Sequence, residues 1–449
     1  MRDRLIPIVL RLLPVVIFVC LAIRPAQGAY SGSAHGQNAT GVARTDMLSK
    51  GFARGNCAHC HEQHASVDGG EPNPVGGAPS SYAGFASEEN LCFGCHAAAG
   101  TVGTATDNIQ TVAAKAYGHG TGTAANYLGA ANRHKAGEIS VTALSVSPHV
   151  ECVDCHNPHE AKTGNHTAGG SGNTVSNALT GVSGVDFTTF PSNWAAFGGG
   201  TPAAYATATR EYQICFKCHS SSNASMQNWD GAGALAWTDT ALEFNPLNQS
   251  LHPVTVTLTA AANSIKLKDS QLTATWQPAG SKTMYCSDCH NVESGSPTGP
   301  HGSAVRWMLS GTNKAWPYQD FVNNGTSAGT YWDLNNRTTN SGTANGLFCL
   351  NCHPDPRSVD SNNVHRVGDH TSYVCLRCHI RVPHGGKIPR LLTDLDGGLP
   401  ARYYPNGNGG GGLTGLTKVA RVATGVNYGK SQCQSNCGEH GGYNPAFSW

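Results

Sequence analysis

The feature that most constrains this chain is the pentapeptide Cys-x-x-Cys-His, which occurs seven times in 449 residues. The copies take up 14 of the 17 cysteines and seven of the 21 histidines. Their cysteines are Cys57, Cys60, Cys92, Cys95, Cys152, Cys155, Cys215, Cys218, Cys286, Cys289, Cys349, Cys352, Cys375 and Cys378. Their histidines are His61, His96, His156, His219, His290, His353 and His379. Repetition at this density indicates that each copy binds the same kind of group.

The spacing within the motif has a chemical reason. On one helical turn, positions i, i+3 and i+4 lie on the same face. The two thiols can therefore form thioethers with the two vinyl groups of a haem, while the histidine reaches the iron from the same side. Zinc ribbons and redox dithiols also use Cys-x-x-Cys, but neither needs a histidine after every second cysteine. The motifs predict seven covalently bound groups of haem c (heme c), each with a proximal histidine.

The remaining histidines suggest the second, distal ligand of each iron. Fourteen histidines remain besides the seven proximal ones, against five methionines in the whole chain, which favours bis-histidine ligation and low reduction potentials. The preferred distal candidates lie near motifs or in loops flanked by Gly or Pro: His35, His64, His149, His159, His252, His301 and His370. The reserves are His119, His134, His365 and His384. We expect His59, His166 and His440 not to bind iron.

Composition limits both the fold and the partners. The formal charge is only +1, and a nucleic-acid-binding protein would carry a clear basic excess. Glycine is abundant, at 55 residues, so the chain has little bulk for a core of its own and haem must supply it. We therefore expect a multihaem cytochrome fold that is mostly coil, with short α-helices at the motifs and a haem-stacked core. The alternating segment Pro253–Gln277 predicts a small antiparallel β element.

The first 28 residues have the pattern of a signal peptide. A basic start precedes the apolar run Leu12–Ile23, and the small residues Ala26 and Gly28 favour cleavage after Gly28. An uncleaved anchor and a lipoprotein modified at Cys20 are weaker alternatives. We expect an exported protein, at the outer-membrane surface or outside the cell first and in the periplasm second.

The rest of the chain divides by its motifs. Residues 29–165 contain motifs 1 to 3, and residues 166–285 form a loop-rich region with motif 4 and the β element. Residues 286–398 contain motifs 5 to 7, and residues 399–449 form a Gly-rich tail. In that tail, Cys433 and Cys437 suggest a local disulfide, with an atypical eighth haem as the weaker alternative.

The motif neighbourhoods resemble a known family. The stretches CAHCHEQHAS, CVDCHNPHE and CLRCHIRVPHGGKIPRLL, and CSDCH followed by GPHGS, are similar to the doubled-motif multihaem c-type cytochromes of metal-reducing bacteria. This resemblance implies haems stacked in parallel and T-shaped pairs inside largely irregular backbone. It also implies electron transfer across the periplasm or outside the cell. His370 resembles the distal-ligand position of small tetrahaem cytochromes.

Three functions compete at this stage. The leading one is an electron carrier without catalytic residues, whose partners are other c-type cytochromes, an outer-membrane conduit, or mineral and metal acceptors. A reductase of nitrite, hydroxylamine or a sulfur oxyanion would need one open iron. The nitrite and hydroxylamine reductases often mark that haem with Cys-x-x-Cys-Lys, which is absent from the sequence. The third is a subunit of an extracellular cytochrome filament, a homopolymer with the same chemistry.

Overall fold

The computed structural model describes residues 30–61, 88–98, 100, 107–119, 150–223, 239–261, 267–295, 297–314, 346–358, 364–366, 375–392, 418–419 and 433–434. Most of this backbone is coil and turn, as predicted. In the described part of the chain, no helix has the length and apolar character needed to cross a membrane. The predicted signal peptide and most of the Gly-rich tail, including Cys437, lie outside these ranges.

The helices are short, and the motifs lie on them. The α-helices are α1 (Thr45–Ser49), α2 (Glu88–Phe93), α3 (Ile109–Ala113), α4 (Cys152–Cys155), α5 (Glu211–His219), α6 (Thr240–Glu243) and α7 (Cys286–Cys289). Motif 2 begins in α2, and motif 4 forms the last five residues of α5. The two cysteines of motif 3 are the first and last residues of α4, and those of motif 5 are the first and last residues of α7. The other three motifs begin within the 3₁₀ turns Cys57–His59, Phe348–Asn351 and Cys375–Arg377. The expectation of short helical segments at the motifs is met.

Backbone hydrogen bonds close the helical turn of the motifs. In motif 1, the amide of His61 donates to the carbonyl of Cys57 at 2.9 Å. The equivalent i to i+4 bond occurs in motifs 2, 3, 5, 6 and 7 at 2.8–3.1 Å, and motif 4 lies inside α5. This turn places both thiols and the histidine on one side of the backbone, as covalent haem attachment requires.

The strands of the described residues form four small antiparallel pairs. Strand β1 (Ser183–Gly184) pairs with β4 (Ala206–Thr207), and β2 (Phe187–Thr189) pairs with β3 (Thr201–Pro202). Strand β5 (Ser250–Leu251) pairs with β6 (Gly385–Gly386), and β7 (Lys418–Val419) pairs with β8 (Cys433–Gln434). The β content is therefore antiparallel and small, as expected, but it lies elsewhere in the chain than predicted.

The predicted β element at Pro253–Gln277 is wrong for the residues described within it. These residues form bends, turns and the 3₁₀ turns Asp269–Gln271 and Ala274–Trp276. The physical reason lies in motif 6. The amide of Thr273 donates to the carbonyl of Cys352, and the carbonyl of Gln271 accepts from the ring of His353. Backbone groups that a cross-strand partner would have paired are bonded to a haem motif instead.

The largest apolar cluster surrounds α5 and borders three motif cysteines. Its buried members are Val185, Phe187, Tyr212, Phe216, Ala241, Phe244, Val254, Trp276 and Met284. Cys286, Cys289 and Cys352 pack against its edge. The protein's own core therefore continues directly into the places where haem would attach, which fits the expectation that haem completes it.

Candidate haem-binding sites

The motif cysteines are available for thioether bonds. All 14 are free thiols in the structure, exposed in the case of Cys57 and partly buried in the others. Burial raises the pKa of Cys60, Cys218 and Cys349 to about 11. Thiols with raised pKa values are poor nucleophiles and poor redox dithiols at neutral pH. At these three cysteines, thiolate catalysis and dithiol redox chemistry are therefore disfavoured at neutral pH.

Each proximal histidine faces a second histidine ring. We number the sites 1 to 7 in the order of the motifs. The pairs, from site 1 to site 7, are His61 with His159, His96 with His35, His156 with His301, His219 with His119, His290 with His384, His353 with His252, and His379 with His365. The ring centres within a pair lie 5.8–6.4 Å apart.

This separation fits one metal ion between two imidazoles. An imidazole nitrogen binds a first-row metal ion such as zinc at about 2.0 Å. Since the ring centre lies about 1.2 Å behind the nitrogen, two rings on opposite sides of one ion have centres about 6.3 Å apart. All seven observed separations lie near this value. The residues present therefore fit a haem iron ligated by two histidines at each site.

The electrostatics of the rings also suit iron binding. Burial lowers the pKa of His219 to about 3, and neighbouring histidines add to the effect. Burial likewise lowers the pKa of His252, His290, His301 and His384 to about 4. A neutral imidazole has the free lone pair that a metal ligand needs. At neutral pH these five rings are therefore in the ligand form.

Hydrogen bonds orient most of the paired rings. Eight of them donate Nδ1–H to backbone carbonyls, which can only accept: His35 to Pro158, His96 to Asp107, His119 to Pro300, His156 to Ala178, His252 to Pro383, His290 to Trp307, His353 to Gln271 and His379 to Arg390. This bond fixes the tautomer and leaves Nε2 for the metal.

Three of these bonds join the distal histidines of neighbouring sites. The acceptors Pro158, Pro300 and Pro383 each directly precede another distal histidine. Sites 1 and 2, 3 and 4, and 5 and 6 are connected in this way. Backbone bonds reinforce each connection: Ala34 to Ala161 at 2.7 Å, Ser303 to Tyr117 at 2.6 Å, and His252 to His384 at 2.9 Å. A Pro-His dipeptide thus positions two ligands at once.

Contacts also connect these pairs of sites to each other. Between sites 4 and 5, Ser287 donates its amide and hydroxyl to Glu211 of α5 at 2.9 and 2.7 Å. Between sites 6 and 7, the hydroxyl of Ser250, two residues before His252, donates at 2.7 Å to the carbonyl of Ile388, which lies two residues before the acceptor of the His379 ring. Between sites 2 and 3, helix α2 contacts helix α4. The sites therefore follow one another in chain order.

The structure brings together only part of the predicted distal set. His35, His159, His252 and His301 each face a proximal ring. The candidates His64, His149 and His370, and the reserve His134, lie outside the described residues. At sites 4, 5 and 7 the proximal ring instead faces His119, His384 and His365, which the sequence ranks as reserves.

The histidines expected not to bind iron have other partners. The ring of His59 accepts from the amide of Arg44 at 3.0 Å and donates to the carbonyl of Ala53 at 2.9 Å. Both of its nitrogens are therefore engaged. His166 donates from Nε2 to Asp288 at 2.9 Å. His440 lies outside the described residues.

A repeated segment is the signal that sequence reasoning missed. Residues 300–309 (PHGSAVRWML) and 383–392 (PHGGKIPRLL) share a Pro-His-Gly start and a final Leu. In each copy two residues adopt positive φ, and the first of them, Trp307 or Arg390, accepts from the proximal histidine of motif 5 or motif 7. The segment supplies a distal ligand at its start and orients a proximal ligand near its end. Aligning the two copies would have raised His384 to the rank of His301.

Part of the sequence matches a known protein family. Residues 50–101, which contain motifs 1 and 2, match the family model of the doubled CXXCH motif. The match supports the interpretation of this protein as a multihaem c-type cytochrome. In a cytochrome of this kind, the motif indicates covalently bound haem and a role in electron transfer. No curated protein and no solved structure matches the chain.

Proposed function

We propose that this protein is an electron carrier with seven haems, each ligated by a proximal and a distal histidine of the same chain. The observation that carries the proposal is the set of seven paired rings with centres 5.8–6.4 Å apart. A haem bound at such a site supplies reversible one-electron chemistry, and bis-histidine ligation gives it a low potential.

The distal ligand set follows from the same pairs. The proposed ligands for sites 1 to 7 are His159, His35, His301, His119, His384, His252 and His365. The role of the chain is to hold these rings, to set the spacing between neighbouring sites and to exclude water from them. The contacts between successive sites support a path that runs in chain order from motif 1 to motif 7.

The pairing favours an electron carrier over a reductase, and over a filament in which one subunit ligates the haem of the next. A reductase needs one iron with an open position, whereas every proximal ring here faces a second histidine. A filament in which one subunit ligates a haem of the next would need a proximal histidine that lacks a partner within its own chain. The pairs observed use one chain throughout.

The proposed partners rest on the charge of the protein, and the proposed location rests on its signal-peptide pattern. Haem propionates would make the mature protein acidic, so we propose cationic partner cytochromes and metal ions or metal oxides as acceptors. The signal-peptide pattern of residues 1–28 supports export, to the cell surface or outside the cell first and to the periplasm second.

The test is a spin-state measurement on the purified haem-loaded protein. Mass spectrometry should count seven haems, EPR of the ferric protein should find them all low-spin, and the reduced protein should not bind carbon monoxide. The variant His301→Ala should convert one haem to a high-spin form that binds carbon monoxide. The matched control His166→Ala should not. An open haem in the unaltered protein would contradict the proposal and favour the reductase.

A further inference from the structure

The ring of His384 has a different hydrogen-bond partner from the eight rings that bond to carbonyls. Its Nδ1–H donates to Oε2 of Glu243, the last residue of α6. Glu243 is fully buried, at 0% exposure. A carboxylate that accepts from a ligating histidine makes the imidazole a stronger donor to its metal.

The surrounding backbone fixes this contact. The side chain of Asn248 donates to the carbonyl of Glu243 at 2.8 Å, which holds the end of α6. The ring of Phe244 lies 4.9 Å from the ring of His384. Gly385 passes so close that a Cβ there would lie 1.8 Å from the carbonyl oxygen of Glu243, so only glycine fits. The carboxylate and the imidazole are therefore held together by packing on several sides.

The repeated segment provides an internal comparison. His301 occupies the position in residues 300–309 that His384 occupies in residues 383–392. Among the described residues, the Nδ1 of His301 is buried and has no hydrogen-bond partner. The two equivalent ligands, one at site 3 and one at site 5, thus differ in their surroundings. His384 faces a buried carboxylate, whereas His301 faces no acceptor in the part of the chain that the structure describes.

We propose that Glu243 is a positioning residue that lowers the reduction potential of the haem at site 5 through His384, so that this haem lies below the haem at site 3. The inference rests on the proposed ligand set and deepens it. Reduction adds one electron close to this hydrogen-bonded carboxylate. The added electron is therefore disfavoured, and the ferric form is stabilised.

The test is a redox titration of the full haem-loaded protein, followed by visible absorption and EPR. In Glu243→Gln the hydrogen bond can persist without the charge. We expect one of seven reduction steps to become about tenfold more favourable, which is about 59 mV for one electron. The g values of one low-spin haem should shift with it. Glu243→Asp, which keeps the charge but withdraws it from the ring, should give a smaller shift in the same direction.

Two further variants make the result specific. Glu151→Gln removes another buried carboxylate, one that directly precedes motif 3, and should leave the g values of that haem unchanged. His384→Ala should remove the low-spin signal that shifts in Glu243→Gln. If Glu243→Gln does not retain seven haems, Glu243→Asp decides the question.

Unchanged potentials in a Glu243 variant that retains seven low-spin haems would overturn the inference and leave the proposed function standing. An equal change of the g values of that haem in Glu151→Gln would overturn it as well, because the effect would then be one of general charge. If His384→Ala produced no high-spin haem, the proposed ligand set itself would fail, which is a distinguishable result.

Discussion

His365 and His370 lie five residues apart before motif 7, and only one of them can complete its haem site. The ring of His365 lies 6.2 Å from that of His379, with the two planes 12° apart. We predict that His365→Ala creates one high-spin haem that binds carbon monoxide, and that His370→Ala does not. EPR and carbon monoxide difference spectra check both variants. The opposite result would restore the ligand that the sequence favours.

Gly302 shows how closely one site is packed. A Cβ at this residue would lie 2.1 Å from the carbonyl oxygen of Val112 in α3, and the next residue toward the N-terminus is His301. We predict that Gly302→Ala costs about 1–3 kcal/mol of stability by forcing these backbones apart. It should also give a fraction of high-spin haem. Gly170→Ala is the matched control for thermal unfolding, because its Cβ would meet only an ordinary contact at 3.6 Å. Equal Tm values would contradict the prediction.

Helices α5 and α7 meet through a buried polar cluster around His166. Burial alone lowers the pKa of His166, but the hydrogen bond to Asp288 and the charges of Asp288 and Glu211 raise it above its ordinary value of 6.5. The stability that this raised pKa gives is fully present below pH 6.5 and is lost as the pH rises through the raised value. We predict that His166→Gln lowers the free energy of unfolding more at pH 5.5 than at pH 9. Denaturant unfolding at both pH values checks this, and a pH-independent loss would contradict it.

Elements that depend on neighbouring residues could be predicted from the sequence, whereas contacts between segments far apart in the chain could not. The helical turn of each motif follows from the spacing of Cys and His within five residues. The choice between His119 and His64 as a ligand depends on which segments meet in space, and His119 faces a ring 100 residues away in sequence. The β element at Pro253–Gln277 failed for a related reason, because motif 6 takes the backbone groups of that segment.

We expect the haem sites to contribute unequally to the stability of the whole protein. Cys286 and Cys289 of motif 5 pack against the main apolar cluster, whereas Cys57 of motif 1 is exposed. We predict that Cys286→Ala/Cys289→Ala lowers the stability by about 2 kcal/mol or more beyond the loss in Cys57→Ala/Cys60→Ala, because a haem at site 5 completes a core. Calorimetry of the two variants, with haem counted by mass spectrometry, measures the difference. Equal Tm values would show that the main cluster does not need this haem.

The order of the ligand pairs has a consequence for how the protein matures. Under the proposed assignment, sites 2, 4, 6 and 7 take their distal histidine from residues that precede the motif. Sites 1, 3 and 5 take theirs from His159, His301 and His384, which are synthesised later. A chain that emerges N-terminus first would therefore complete sites 2, 4, 6 and 7 as they appear. Haems at sites 1, 3 and 5 would lack their distal histidine, and would be open to small ligands, until a later part of the chain arrives.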